Sequence, residues 1–216
     1  MLKVSETVAV IVAQSLEASV MLQQGCLNLS AYAKRIQPEV ERITKKPVKT
    51  GSIVIALSRL GRSLRAERTL LPPPTALEVS ARSGLMEVTF ERTQRNLELF
   101  HALQQRVAPS PNDFFVTTQG TAEITIIAPE SRLPQIEAVF TGVAPKFVLT
   151  NLSALTVRTT EQDIYTPNTF FAILYHFAMQ RLNVIELIST YTEVTLIFEE
   201  KDLQEGFEIL KRFLRH

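Results

Sequence analysis

The feature that most constrains this chain is a strand pattern that occurs twice. Glu123-Ile124-Thr125-Ile126-Ile127 is echoed by Glu193-Val194-Thr195-Leu196-Ile197 at a constant offset of 70 residues. Each run is rich in β-branched residues and reads as a strand. Each follows another apolar strand, Phe114–Thr118 in the first copy and Val184–Ile188 in the second. Each precedes an amphipathic helix, Ser131–Phe140 and Asp202–Leu214. Self-similarity at a fixed offset marks one supersecondary unit used twice. Such a unit is too small for a complete catalytic apparatus, so the repeat points to a binding or regulatory module.

The rest of each copy follows from local pattern. Leu77–Ala81 and Leu85–Phe90 alternate as two strands, with Ser83-Gly84 as a bend. Arg92–Val107 is a helix with Leu99, Leu103 and Val107 on one side. Lys146–Leu149 then closes the first unit as βαββαβ. The second unit opens with the strand Leu152–Val157. Its helix starts at Thr166-Pro167, with proline at the first helical position. That helix carries Phe170, Ile173, Leu174, Phe177, Ala178 and Leu182 on one stripe. Leu203, Phe207, Leu210 and Leu214 face inward on the last helix. No fourth strand follows it, so an edge is left for another unit or subunit to cover. A homodimer is the expected solution.

The first third differs in kind. Val8, Ile11, Val12, Ser15, Leu16, Ser19 and Val20 follow helical spacing as far as a stop at Gly25. Asn28 or Ser30 caps a second helix, Ala31–Ile36, and Pro38 opens a third that includes Val40 and Ile43. A fourth runs from Thr50 to Glu67, with Ile53, Leu57, Leu60 and Leu64 on one stripe. The net charge of +1 hides an asymmetry. Residues 1–71 hold eleven bases against five acids, a net +6, which leaves −5 for the remainder. The two regions therefore suit different partners. Helices two to four have helix-turn-helix spacing. Asn28–Ile36 resembles the first helix of winged-helix DNA-binding domains. On that resemblance the helix from Thr50 enters the major groove, presenting Ser52, Arg59 and Arg62, while Lys45, Lys46 and Lys49 meet phosphates. A basic face on a dimerisation or docking module is the other reading of the same residues. Between the regions, Pro72-Pro73-Pro74 forbids helix and makes a short, semi-rigid spacer.

Within the second copy, Ala154-Leu155-Thr156-Val157, Thr166-Pro167-Asn168, and Leu182-Asn183-Val184-Ile185 with Ile188-Ser189-Thr190 resemble the ACT domain. That regulatory fold commonly binds amino acids, and the likeness is nearest to the paired ACT domains of aspartate kinases. Two glycines of the family pattern are replaced, by Asn168 at the strand-to-helix loop and by Arg181 before the Leu-Asn-Val run. With the helical region and the linker read above, the expected fold is α+β: an all-α, helix-turn-helix-like domain (1–68), a linker (69–76), and, as the resemblance implies, two tandem ferredoxin-like βαββαβ units (77–150 and 151–216). The resemblance also implies a ligand at the helix start, near Asp163, Tyr165, Asn168, Thr169 and Asn183, with Asp163 facing an α-ammonium group.

Other chemistry is missing from the sequence. There is no glycine-rich phosphate loop, no Gly-x-Ser-x-Gly, and no His/Cys cluster at metal spacing. No catalytic residue, metal or cofactor is expected, and the protein is expected not to be an enzyme. His101 and His176 read as helix-surface residues. The single cysteine, Cys26, reads as a small buried hydrophobe. The apolar run Val8–Ala13 is short and flanked by Glu6 and Glu17, so no membrane span or signal peptide is expected, and a cytoplasmic location follows by elimination. Two functions remain open. One is a regulator that senses an amino acid and acts through its helical domain, on DNA in one version. The other is an interaction module whose ACT-like units only dimerise.

Overall fold

The computed structural model describes residues 3–66, 69–107 and 113–214. Glu67, the expected end of the fourth helix, and His216 lie outside them. The chain divides into two compact units, Met1–Pro72 and Pro73–His216.

The first unit is helical: α1 (Val4–Ala13), α2 (Leu16–Gln24), α3 (Leu29–Thr44) and α4 (Thr50–Ala66). The helices divide the sequence differently from the expectation. The expected first helix breaks at Gln14, and its halves are bent by 110°. Ser15 causes the break: its Oγ accepts from Ala18 N and caps α2. The expected second and third helices are one, α3, capped by Asn28. Pro38 lies inside it and forfeits one backbone bond, while burial of Ile36, Val40 and Thr44 on a common stripe keeps the helix whole. α4 packs against all three others. At Gly61 a Cβ would lie 3.0 Å from Leu22 Cδ1, so glycine permits the close approach of α2 and α4. Cys26 is exposed rather than buried, because it follows the left-handed Gly25 that ends α2. No single helix among the described residues is long and apolar enough to cross a membrane.

The second unit is built on one antiparallel sheet of order β2-β3-β1-β4-β6-β5. The strands are β1 (Glu78–Glu91), β2 (Val116–Gln119), β3 (Glu123–Pro129), β4 (Phe147–Arg158), β5 (Glu186–Ser189) and β6 (Glu193–Glu199). Its helices are α5 (Gln94–Arg106), α6 (Leu133–Val139), a single turn α7 (Glu161–Ile164), α8 (Thr169–Met179) and α9 (Leu203–Leu214). Two pairs of expected strands are fused. Leu77–Ala81 and Leu85–Phe90 belong to β1, and Lys146–Leu149 and Leu152–Val157 belong to β4. Irregularities between Arg82, Leu85 and Glu87 absorb the apparent bend. The expected boundary at residue 150 therefore falls inside β4.

This fusion completes both copies. β1 and β4 form one long antiparallel ribbon in which Leu85 faces Leu152. The buried C-terminal half of each strand pairs with β3 or β6 on its other side. The exposed N-terminal half of each lies beside the buried half of the other. The fourth strand expected to be missing from the second copy is thus Glu78–Arg82 of the same chain. Leu85 faces Pro129 as Leu152 faces Glu199, so the ribbon residues of the copies are related by an offset of 67. Thr89 and Thr125 share a hydroxyl bond of 2.8 Å, and their counterparts Thr156 and Thr195 do the same.

One face of the sheet carries Met86, Val88, Phe90, Ile124 and Ile126 beneath α5 and α6. In the second copy α8 buries Thr169, Ala172, Ile173 and Phe177, and α9 buries Gly206, Ile209, Leu210 and Phe213. Phe170, Ala178 and Phe207, expected inward, are exposed. The buried stripe of each helix is turned by about one residue from the one read from spacing alone. The opposite face is also buried at its centre, by a cluster of Leu85, Ile127, Leu152, Ala154 and Ile197 with Phe114 and Val116 from the β2 side and Ile185 and Ile188 from the β5 side.

Candidate functional site

The copies differ most between the ribbon strand and the long helix. In the first copy two residues, Arg92 and Thr93, join β1 to α5, and Thr93 caps the helix through Asn96 N. In the second copy ten residues separate β4 from α8, and four of them form α7. The sequence signal for α7 is the spacing Thr160-x-x-Asp163, a capping box. Asp163 accepts from Thr160 N at 3.0 Å and from Thr160 Oγ1 at 2.7 Å. It also accepts from Thr75 N at 3.2 Å. The chain then turns through Pro167 and Asn168 before α8 begins at Thr169. Pro167 is consequently not the first helical residue; the left-handed Asn168, at φ 69°, is the cap. Only a residue tolerant of that region fits there. Arg181 at the other end of α8 is also left-handed, at φ 57°. Both replaced family glycines thus occupy glycine-like backbone conformations.

This link and the β5–β6 turn enclose a pocket of about 410 Å³. Thr159 holds the link to that turn by donating from N to Thr192 O at 2.7 Å. Asp163, Asn168 and Thr169 line the pocket, with Phe170 and Phe171 on one side and Tyr191 and Glu193 on the other. Thr169 Oγ1 donates to the carbonyls of Asp163 and Thr166, which fixes the link against the helix. Ala172 N donates to Asn168 O and so closes the first turn of α8. The amides of Thr169, Phe170 and Phe171 precede any intrahelical partner and carry the positive end of the dipole. Among the described residues, no Lys, Arg or His lines the pocket. The surface combines helix-start donors, an apolar aromatic wall and two carboxylates.

Of the five residues expected at a ligand site, the structure brings three together: Asp163, Asn168 and Thr169. Tyr165 is 79% exposed and outside the lining. Asn183 follows the far end of α8, a helix about 16 Å long. Asp163 is a structural acceptor for Thr160 and Thr75. Phe170, Phe171, Tyr191 and Glu193 were missed. The β5–β6 turn enters the site only through the strand pairing, which local spacing does not reveal.

The basic residues of the helical unit form a second candidate surface. Lys45, Lys46, Lys49, Ser52, Arg59 and Arg62 are all exposed. Ser52, Ile55, Arg59 and Arg62 fall at helical spacing on one outer stripe of α4. The turn before α4 is pinned. Gln37 Nε2 donates to Val48 O at 2.9 Å, Val48 N donates to Glu41 Oε1 at 2.9 Å, and Thr50 Oγ1 donates to Gln37 Oε1 at 2.7 Å. The three lysines are thus presented from an ordered turn, with Lys45 itself left-handed.

The fold is similar to that of solved aspartate kinases and their regulatory subunits. An aspartate kinase from Clostridium acetobutylicum superposes with a TM-score of 0.53 at 12% identity, over 68% of this chain and 37% of that one. The regulatory subunit of aspartate kinase from Thermus thermophilus gives 0.52 at 9%, over 64% of this chain and 98% of that one. An aspartate kinase from Synechocystis gives 0.53 at 14%, over 78% and 32%. The chain thus spans about a third of the whole kinases and nearly all of the separate regulatory subunit. No protein-family profile and no curated protein sequence matches it.

Proposed function

We propose that this chain is a non-enzymatic regulator whose second ACT-like copy binds a free amino acid with an apolar or aromatic side chain. The observation that carries the reading is the pocket at the start of α8. The helix-start amides suit an α-carboxylate. Glu193, with Asp163 behind it, suits an α-ammonium group. Phe170, Phe171 and Tyr191 suit an apolar side chain. A lining without a basic residue among those described disfavours an acidic one. Coupling is by linkage: a ligand that prefers one arrangement of the link and the β5–β6 turn shifts the population of that arrangement. The exposed cations of α4 and the preceding turn deliver the output to DNA phosphates, and the protein acts as a homodimer. The outermost strands β2 and β5 offer edges for that association.

A thermal-shift screen of the twenty amino acids tests the ligand. A ligand at 100 times its Kd adds about 2.7 kcal/mol, so at least one apolar or aromatic amino acid raises Tm, and aspartate and glutamate do not. No shift with any amino acid removes the sensor reading. In gel shifts, Arg59→Ala with Arg62→Ala weakens a complex that already falls steeply with salt. No wild-type complex at low salt removes the DNA output. A second reading, an interaction module without a ligand, is favoured by one observation: Phe170, Phe171 and Met179 leave an apolar strip exposed on α8.

A further inference from the structure

The proline linker ends on the same link that lines the pocket. Pro74 is buried, although Pro73 and Thr75 on either side are exposed. Thr75 N donates to both carboxylate oxygens of Asp163, at 3.2 and 3.3 Å. Two residues on, Leu77 N donates to Arg158 O at 2.8 Å, and the Arg158 guanidinium pairs with Glu78 at 2.8 Å. Arg158, Thr159 and Thr160 are consecutive, and each holds a different element. Arg158 holds the start of β1, Thr159 the β5–β6 turn, and Thr160 the carboxylate of Asp163. Thr159, Asp163, Ile164 and Thr166 all line the pocket. One carboxylate therefore serves the pocket wall and the linker at once. The other end of the linker is held within the helical unit, where Leu70 N donates to Gln23 Oε1 at 3.2 Å. Residues 71–74 lie between the two anchors, and their three prolines fix φ in succession.

On the reading of the pocket as an amino-acid site, we propose that Asp163 is a relay between that site and the linker. Occupancy of the pocket and docking of Thr75 favour each other, so the amino acid sets whether the end of the linker is held or free. The carboxylate takes one backbone donor from within the link, Thr160 N, and one from the linker, Thr75 N. Such bonds to an ionised acceptor are stronger than neutral ones. An amino acid seated against Thr159, Asp163, Ile164 and Thr166 orders the turn that aims the carboxylate. Thr75 then meets an acceptor already in place. Linkage makes the effect reciprocal: a linker that cannot dock weakens amino-acid binding by the factor by which the amino acid strengthens docking. A held Thr75 gives the proline run a fixed starting direction, and a freed Thr75 does not.

Thr75→Pro tests the relay, because it deletes the donor and leaves Asp163 and every lining residue in place. Thr75→Ala is its control, because it keeps the N–H. Thr75 is exposed, and Leu77 N keeps its own bond to Arg158 O, so β1 stays anchored in both variants. The first readout is amide hydrogen exchange of the full chain with no amino acid added. Thr75→Pro speeds exchange of the Tyr165 and Thr166 amides, which bond back to Gln162 O and Asp163 O, about 5-fold over wild type and Thr75→Ala. Equal exchange in the two variants overturns the relay whether or not any amino acid binds. The second readout is titration calorimetry with phenylalanine, tyrosine, leucine, isoleucine, valine and methionine, each as a single probe. A probe that binds wild type binds Thr75→Ala alike and Thr75→Pro about 5-fold more weakly, and it slows exchange of the Thr75 amide in wild type. Equal affinities in all three proteins would overturn the relay and leave the amino-acid site standing. No binding of any probe to wild type would remove both.

Discussion

The two copies of the ACT-like unit share a scaffold and differ in what they attach to it. Strand pairing, the shared threonine hydroxyls and the 3₁₀ turns after β3 and β6 recur. The core between sheet and helices does not. The first copy has Met86 and Ile136 where the second has Ser153 and Gly206, and the second fills the space with Phe177, Phe198 and Phe213. The outer face of α5 is polar, with Gln94, Glu98, His101 and Gln105 exposed; that of α8 is apolar. The link before the long helix is two residues in one copy and ten in the other. The difference teaches that the repeat is maintained by sheet register, while the site rests on an insertion that register tolerates.

The largest expected effect breaks the equivalence of Ile136 and Gly206. Ile136→Ala empties a buried site and costs about 2–5 kcal/mol in chemical denaturation. The mirror change, Gly206→Ile, drives a side chain into Phe198, Leu155 and Phe177, whose nearest atoms lie 3.1–3.4 Å from where its Cβ would stand, and costs about 1–3 kcal/mol. Equal tolerance at both positions would mean that the two cores are packed alike.

The threonine pairs give a finer contrast. Thr89→Val orphans the buried Thr125 hydroxyl and costs about 1–3 kcal/mol. Thr156→Val costs less, because the second pair is only partly buried and water can replace the lost partner. At Ser153, whose Oγ is buried without a partner among the described residues, alanine gains stability, by about 0.5–1 kcal/mol.

Smaller effects belong to the left-handed residues. Arg181→Gly relieves a conformation that costs most side chains about 1–2 kcal/mol, partly offset by the backbone entropy of glycine. Asn168→Gly gains less, because asparagine tolerates that region. The smallest effect is at His176, which packs 4.2 Å from the Phe213 ring and whose basicity is lowered by burial. The unfolded chain binds that proton more readily, so its contribution is present above the unfolded value of about 6.5 and is lost as pH falls through the folded one. His176→Gln therefore reduces the loss of Tm between pH 7.5 and 5.5.

Much of the scaffold is legible in the residues. The alternation of β3 and β6 is local, so their offset of 70 is readable directly. The continuity of β1 and β4 is not. Gly84 at φ 67° and Asn151 at φ 55° carry the same local signal as a turn, and the exposed half of each strand lacks the continuous burial of its other half. Pro38 misleads in the same way, since local preference is overridden by burial along α3. At the site, the left-handed loop is legible at Asn168, where the family pattern has glycine. The capping role of Asp163 is legible from Thr160-x-x-Asp163. Tyr191 and Glu193 are not, because only the folded strand order brings their turn to α8.

The most direct measurement of the central claim is amide chemical-shift mapping of the ¹⁵N-labelled full chain during titration with the amino acid that most raises Tm. The account predicts saturable shifts at Thr169, Phe170, Phe171 and Tyr191, with Thr93, Gln94 and Thr121 of the first copy unmoved. Shifts of equal size in both copies, or none around the start of α8, would contradict it.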